Sequence, residues 1–417
     1  MTYPQQQFPP PGGANPSGQA PYGRSPVQFP APAPKPWHRR KEQAFVVPLI
    51  VVILGGLGTL LGMVIVLFRP VLISMIAVLV FSVVAALGFW FLRWLDRWEP
   101  EPPMFLMGAF LWGAGVSAFV SGIVNTVVLG STGSFEATTR ISAPLIEEST
   151  KALFLVVLLL SSKRARAEFN SLTDAIVYGG MVGLGFSWIE NISYALGPET
   201  ASESLQVLVV RLLLVAFLHP ILTIIASIGI WFGFRAPGVM RLVWPVAGWC
   251  LAVFLHWVHN SSYQLFGDTG SLVTAGIEIL VVTGLIVIGV LSRKGEQAAV
   301  QRQLPVLVHF GWITASEAGW LADLSSRKAV LSRTNGDERR ALSEFIQNTT
   351  ELALVRERLD ADQSARPPSE LLQTHKQLVD LVVVRRTQAA QLLGQGGPWQ
   401  PMTPRPGDNW GTMPYPG

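Results

Sequence analysis

The stretch Pro144-Leu145-Ile146-Glu147-Glu148-Ser149-Thr150-Lys151 puts two adjacent carboxylates and a lysine inside a run that otherwise reads as a membrane span. A charged side chain near the bilayer centre costs about 2.5–3.5 kcal/mol on insertion scales. Such groups persist there only when they face a polar cavity with partners supplied by other segments. At helical spacing Glu147 and Lys151 share a face. The fold this stretch requires is a helical bundle that brings further polar groups to that face.

The surrounding chain fits such a bundle. Half of the 417 residues are hydrophobic and only 14% are charged, the composition of a polytopic membrane protein. Apolar runs of about 20 residues, enough to cross a bilayer, lie near 44–68, 71–92, 104–129, 141–160, 174–196, 205–234, 242–266 and 272–291. They predict an all-α membrane protein with about eight transmembrane helices. Arg93, Arg97, Lys163, Arg164, Arg166, Arg235, Arg241, Arg293 and Lys294 fall in alternate loops. The intervening loops hold only Arg69 and Arg140 as cations, and one carries Glu199 and Glu203. This positive-inside pattern predicts a multi-pass membrane protein with both termini cytoplasmic. Basic residues confined to short loops give no support for nucleic-acid binding.

The expected domains follow composition. Residues 1–43 form a Pro/Gln/Gly-rich tail ending in the basic flank of Lys35, His38, Arg39, Arg40 and Lys41, without the order of a signal peptide. Residues 44–292 form the membrane domain, with a catalytic cavity expected within 141–266. Residues 293–393 are charged and helix-friendly, with apolar positions at helical spacing such as Leu371, Leu372, Leu378, Leu381 and Val382. They suit a small helical cytoplasmic region able to engage a cytoplasmic partner. From Gly394 the chain returns to Gly, Pro and Trp and reads as a disordered tail. Cys250, the one cysteine, lies in an apolar run and reads as a core thiol.

Four spans carry groups that lipid rejects: Glu147, Glu148 and Lys151; Glu190 and Asn191; His219; and His256, His259 and Asn260. At 1.5 Å per residue, Glu147 and Glu190 each lie roughly 9 Å from the outer ends of their spans, His256 roughly 15 Å and His219 roughly 21 Å. These depths allow one shared cavity in the outer half or middle of the membrane. Carboxylates with imidazoles suit a divalent metal such as Zn²⁺, here with Glu148, Glu190, His219 and His256 as candidate ligands. They equally suit a metal-free site where a glutamate activates water. Both chemistries hydrolyse amide bonds. Neither His-Glu-x-x-His nor Gly-x-Ser-x-Gly occurs. Gly179 and Gly183 suit close helix packing.

Structural readings compete at each position. Glu147 and Glu148 could form an ion pair with Lys151 or Arg211, but one lysine does not balance two buried carboxylates. Lys151 reads as electrostatic support, and Asn191 and Asn260 as supporting hydrogen-bonders. His259 reads as a neighbour facing elsewhere, Glu278 as structural, Asp174 as a helix N-cap and Arg211 as a snorkelling side chain. A cation-coupled transporter would use an intramembrane Glu/His relay, with polar groups continuing through both membrane halves. A non-catalytic scaffold would not depend on the glutamates at all.

Glu147-Glu148-x-x-Lys151, Phe186-x-x-x-Glu190-Asn191, His219 and His256-x-x-x-Asn260 occur in that order on successive spans, with Asp174-Ala175-Ile176-Val177-Tyr178-Gly179 ahead of the second. In this the chain resembles the PrsW family of bacterial intramembrane proteases, distant relatives of the CAAX-processing and bacteriocin-related membrane proteases. The resemblance covers roughly 104–291. It implies a protein of the bacterial inner membrane that cleaves a single-span membrane protein, such as an anti-sigma factor, near the outer face. By analogy with the prenyl-protein proteases it also implies Glu147 as the base, assisted by Glu148 or Glu190 and the histidines His219 and His256.

Overall fold

Every regular element among the described residues is helical. The computed structural model describes residues 46–161, 166, 169–361 and 369–393. The two expected tails and the loop residues Lys163 and Arg164 lie outside the described residues. Helix α1 (Val46–Gly62) runs on through a 3₁₀ turn to Phe68, and Pro70 precedes α2 (Val71–Leu95). Helix α3 (Pro103–Thr132) contains a π-helical turn at Trp112–Ser117 and ends at Gly133, whose φ of 63° is the left-handed cap that glycine adopts without strain. Then come α4 (Ala143–Ser161), α5 (Leu172–Ala195), α6 (Ala201–Leu214), α7 (Leu218–Arg235), α8 (Met240–Asn260) and α9 (Gly270–His309). Four further helices, α10 (Ala315–Leu321), α11 (Leu324–Ser332), α12 (Gly336–Ala361) and α13 (Ser369–Leu393), complete the described chain.

This is a polytopic all-α membrane protein. Among the described residues six helical stretches are long and apolar enough to cross a membrane: α2, α3, α5, α6 with α7, α8, and Ser262–His309. The apolar part of α1, Ile50–Gly62, is shorter. Helix α4 is 19 residues long and carries the charged triad. Leu72, Leu79, Leu87 and Trp90 of α2 are exposed, as are Leu242, Val246 and Phe254 of α8. Lipid accommodates such surfaces at no hydrophobic cost, whereas water would not.

Four expectations are corrected here. The apolar run 205–234 is not one helix: α6 ends at Leu214 and α7 begins at Leu218. Pro220 has no N–H for the carbonyl of Ala216 and its ring would clash there, and that carbonyl instead accepts from Ser187 Oγ at 2.8 Å. The helix that carries the last span does not end near 291. Helix α9 continues to His309 across the change in composition, through Gly295 and Pro305, because helix formers such as Glu296, Gln297, Ala298 and Ala299 end a membrane run but not a helix. Asp174 is not the N-cap of α5. Ser171 is, and Asp174 closes the capping box by accepting from the Ser171 N–H at 2.6 Å. Cys250 is exposed, because α8 buries only a narrow face and Cys250 lies off it.

One core joins the membrane helices, with Phe154, Leu155 and Leu158 of α4, Tyr178 and Val182 of α5 and Leu222 of α7. A second lies among the far end of α9 and α10–α13, around Val300, Leu342, Phe345 and Leu378, and it includes Trp98 from the α2–α3 loop. Helices α5 and α7 approach closely enough that a Cβ on Gly183 would sit 2.5 Å from Pro220 Cα and 2.6 Å from the His219 carbonyl oxygen. Gly179, one turn earlier, meets Thr223 and Ser227 in the same way. That contact seats His219 beside the helix that carries Glu190.

Candidate active site

Lys151 is fully buried on α4. Its Nζ donates to Glu148 Oε1 at 2.7 Å and lies 2.9 Å from His219 Nδ1 and 4.1 Å from the centre of the Phe186 ring. Glu147 Oε2 is 4.0 Å away, so the i,i+3 partner takes the short bond and the i,i+4 partner does not. An ammonium has only hydrogens to offer, so His219 Nδ1 accepts and His219 Nε2 carries the ring hydrogen. That nitrogen donates to Glu190 Oε2 at 2.7 Å. Phe186, one turn before Glu190, packs edge-on against the His219 ring at 4.7 Å.

The second histidine is held from the opposite side. His256 Nδ1 donates to Glu148 Oε1 at 2.9 Å, which leaves Nε2 as the lone-pair nitrogen, 3.9 Å from Glu147 Oε2. The two imidazoles meet edge to face with centres 5.3 Å apart. Glu147 Oε1 accepts from Asn125 Nδ2 at 3.4 Å, and Asn125 Oδ1 accepts from Ser142 Oγ at 2.7 Å.

Glu190 also accepts from Arg211 Nη2 of α6. Arg211 Nε donates to Asn191 Oδ1 at 2.6 Å, and its guanidinium lies 4.1 Å from the Tyr194 ring centre. Asn191 Nδ2 in turn donates to Ser187 Oγ at 2.9 Å. The break between α6 and α7 and the chain of bonds that fixes Glu190 therefore share Ser187.

The structure brings together Glu147, Glu148, Lys151, Glu190, Asn191, His219 and His256. Asn260 stands apart, donating to the Thr139 carbonyl at 2.8 Å and tying α8 to the turn before α4. His259 pairs with Glu278 at 2.6 Å, binding α8 to α9. Two participants were not assigned to the site from sequence. Asn125 carries the one amide side chain of α3, which was its available signal. Arg211 was readable as an intramembrane cation, but its partner was not.

Three carboxylates face two cations, leaving one negative charge unbalanced among the described residues. Lys151 serves Glu148 and Arg211 serves Glu190, so the excess falls on Glu147. Glu147 Oε2 and Glu148 Oε2 are buried without a hydrogen-bond partner. One ligand atom from each of Glu147, His219 and His256 lies within 4.8 Å of the others. An orphaned carboxylate oxygen, two imidazoles and a surplus negative charge fit a divalent cation. This convergent group shares His219 and His256 with the ligands expected from sequence and adds Glu147.

Such a group of carboxylates and imidazoles, walled by four helices of a membrane bundle, defines a membrane-embedded hydrolase. The comparisons with known proteins agree. The family model described as PrsW family intramembrane metalloprotease matches residues 101–291. The protease PrsW of Geobacillus kaustophilus (strain HTA426) is 33% identical over 182 residues, covering 42% of this chain and 74% of that protein. The proteases PrsW of Clostridioides difficile (strain 630) and Bacillus subtilis (strain 168) are 32% and 31% identical over 127 and 117 residues. Those matches cover 29% and 27% of this chain and half of each relative. No solved structure matches. The chain belongs to the PrsW family of membrane-embedded peptidases, and the family match runs from just before α3 to residue 291 within α9, without α1, α2 or anything beyond 291.

Proposed function

We propose that this peptidase cleaves single-span membrane proteins, such as an anti-sigma factor, near the outer face of the cell membrane, with both of its own termini in the cytoplasm. The observation that carries the reading is Glu147 Oε2, a buried carboxylate oxygen without a hydrogen-bond partner, 3.9 Å from the free nitrogen of His256. Among the described residues no cation engages Glu147 at hydrogen-bond distance, so it can accept the proton of an attacking water. Lys151 and Arg211 keep Glu148 and Glu190 in place, and those carboxylates orient the two imidazoles. Glu147, His219 and His256 would alternatively hold a divalent ion such as Zn²⁺, with Glu147 then a ligand rather than the base, and the ion would supply Lewis acidity and a more acidic water. Ligation by His219 would replace one of its two present hydrogen bonds. Below Lys151, α4 continues with the buried apolar side chains Phe154, Leu155 and Leu158, which supports a closed reaction chamber over a transport path.

The test is cleavage of reconstituted single-span substrates by wild type and Glu147→Gln, each with and without chelator. Cleavage by wild type and none by Glu147→Gln is expected. Cleavage by Glu147→Gln at the wild-type rate removes Glu147 from the chemistry. Loss with chelator and recovery with zinc assigns the ion, whereas indifference to chelator assigns glutamate alone.

A further inference from the structure

Helices α2 and α3 each pack on α5 and leave between them a slot of about 560 Å³, lined by none of the catalytic group. Ala86 and Phe89 of α2 and Met107 of α3 form its walls, Met181 and Trp188 of α5 its floor, and Arg93 one end. We propose that this slot holds one acyl chain of an anionic phospholipid, with the lipid phosphate at Arg93.

Length and a closed deep end select the occupant. From Ser82 to Arg93 the slot follows eleven residues of α2, about 16 Å at helical rise. That is about half of a 30 Å hydrocarbon core, the reach of one leaflet. The slot ends within the bilayer at the Trp188–Ser82 contact, so it suits a chain that enters from one leaflet rather than a helix that crosses both. A single methylene chain fits. The deep end is closed by Trp188 Nε1 donating to Ser82 Oγ at 3.0 Å, so the polar groups there are satisfied without a ligand. Phe89 and Met107 are exposed, which opens the slot sideways to lipid.

Charge selects the headgroup. Arg93 is one-third exposed and gives one nitrogen to Asp96 Oδ2 at 3.2 Å. Burial pushes the Asp96 carboxyl well above the usual range, so it is a weak counterion for Arg93. Arg293 stacks 4.1 Å over the neighbouring Trp94 and lies close enough to Arg97 to repel it. Juxtamembrane cations of this kind attract anionic headgroups. The lipid would lie against Trp188, two residues before Glu190, and so brace the helix whose Glu190 orients His219.

The test is native mass spectrometry of the full chain released from mixed phosphatidylglycerol and phosphatidylcholine bilayers. Wild type is expected to retain one phosphatidylglycerol in preference to phosphatidylcholine. Arg93→Gln should abolish the preference, and Ala86→Trp should lower retention about tenfold. To avoid folding around added bulk, Met107→Cys in a Cys250→Ser background can be alkylated after folding with a long-chain thiol reagent, with the same loss expected. Equal retention of both lipids by wild type overturns the anionic headgroup. Undiminished retention after the slot is filled overturns the site.

Discussion

Lys151→Met is the sharpest probe of the catalytic group, because Lys151 is wholly buried and answers to two partners. At 2.7 Å its attraction to Glu148 is about 6 kcal/mol for an effective dielectric of 20, and at 4.0 Å to Glu147 about 4 kcal/mol, before desolvation. Desolvation offsets much of both, so the pair itself is worth little, whereas stripping it of one partner is costly. Lys151→Met should therefore destabilise the protein by about 3–5 kcal/mol, and Glu148→Gln by a similar amount, since each strands a buried charge. The double variant strands neither. Its loss should fall short of the sum of the singles by about 2 kcal/mol or more. The measurement is a double-mutant cycle of reversible unfolding in bicelles titrated with a denaturing detergent. Additivity within about 0.5 kcal/mol would falsify the coupling and with it the assignment of Lys151 to Glu148.

Gly183→Ala should push α7 and His219 away from α5, since the new Cβ meets backbone at 2.5–2.6 Å. A displacement near 1 Å should slow cleavage about a hundredfold while the chain still inserts, and an unchanged rate would show that this contact does not position His219. Arg211→Lys keeps the charge but loses the fork that reaches both Glu190 and Asn191, so kcat should fall roughly 10- to 100-fold, the worth of one charged hydrogen bond. A pure rise in KM would instead place Arg211 in substrate binding. In the helices beyond α9, burial holds His375 down at about 4, so the folded state resists a proton that the unfolded chain accepts near 6.5. Stability is full above pH 6.5 and drains away as pH falls to 4, by about 2–3 kcal/mol. His375→Gln should flatten that stretch of the thermal midpoint against pH, and an unaltered slope would clear His375.

Helical class and the polar spans were legible because membrane insertion makes every charged residue conspicuous. Glu147, Glu148, Glu190, His219 and His256 stood out for that reason and lie together. Pairing within the group was less legible. Glu147 and Glu148 both lie within a turn of Lys151, and only the approach of His256 from α8 places Glu148 on the lysine. Arg211 found Glu190 through the packing of α6 on α5, which no spacing along the chain encodes. The break at 215–217 had its signal in Pro220, masked by an unbroken apolar run. The extent of α9 was hidden for the opposite reason, because composition changes at 293 while the backbone does not.

Trp98 has a practical corollary. It is seated in the core of the helices beyond 293, under Arg327 at 4.6 Å, and three residues later Glu101 accepts from the Tyr178 hydroxyl of α5 at 2.5 Å. The family match begins at that same Glu101. A chain cut at 293 would sever α9 in mid-helix and turn an indole out into water. At 150–250 Å² for such a ring and about 25 cal/mol per Å², the exposure costs about 4–6 kcal/mol. The peptidase bundle and its appended helices behave as plug and socket: pulling them apart damages the membrane half at the loop that anchors its catalytic helix.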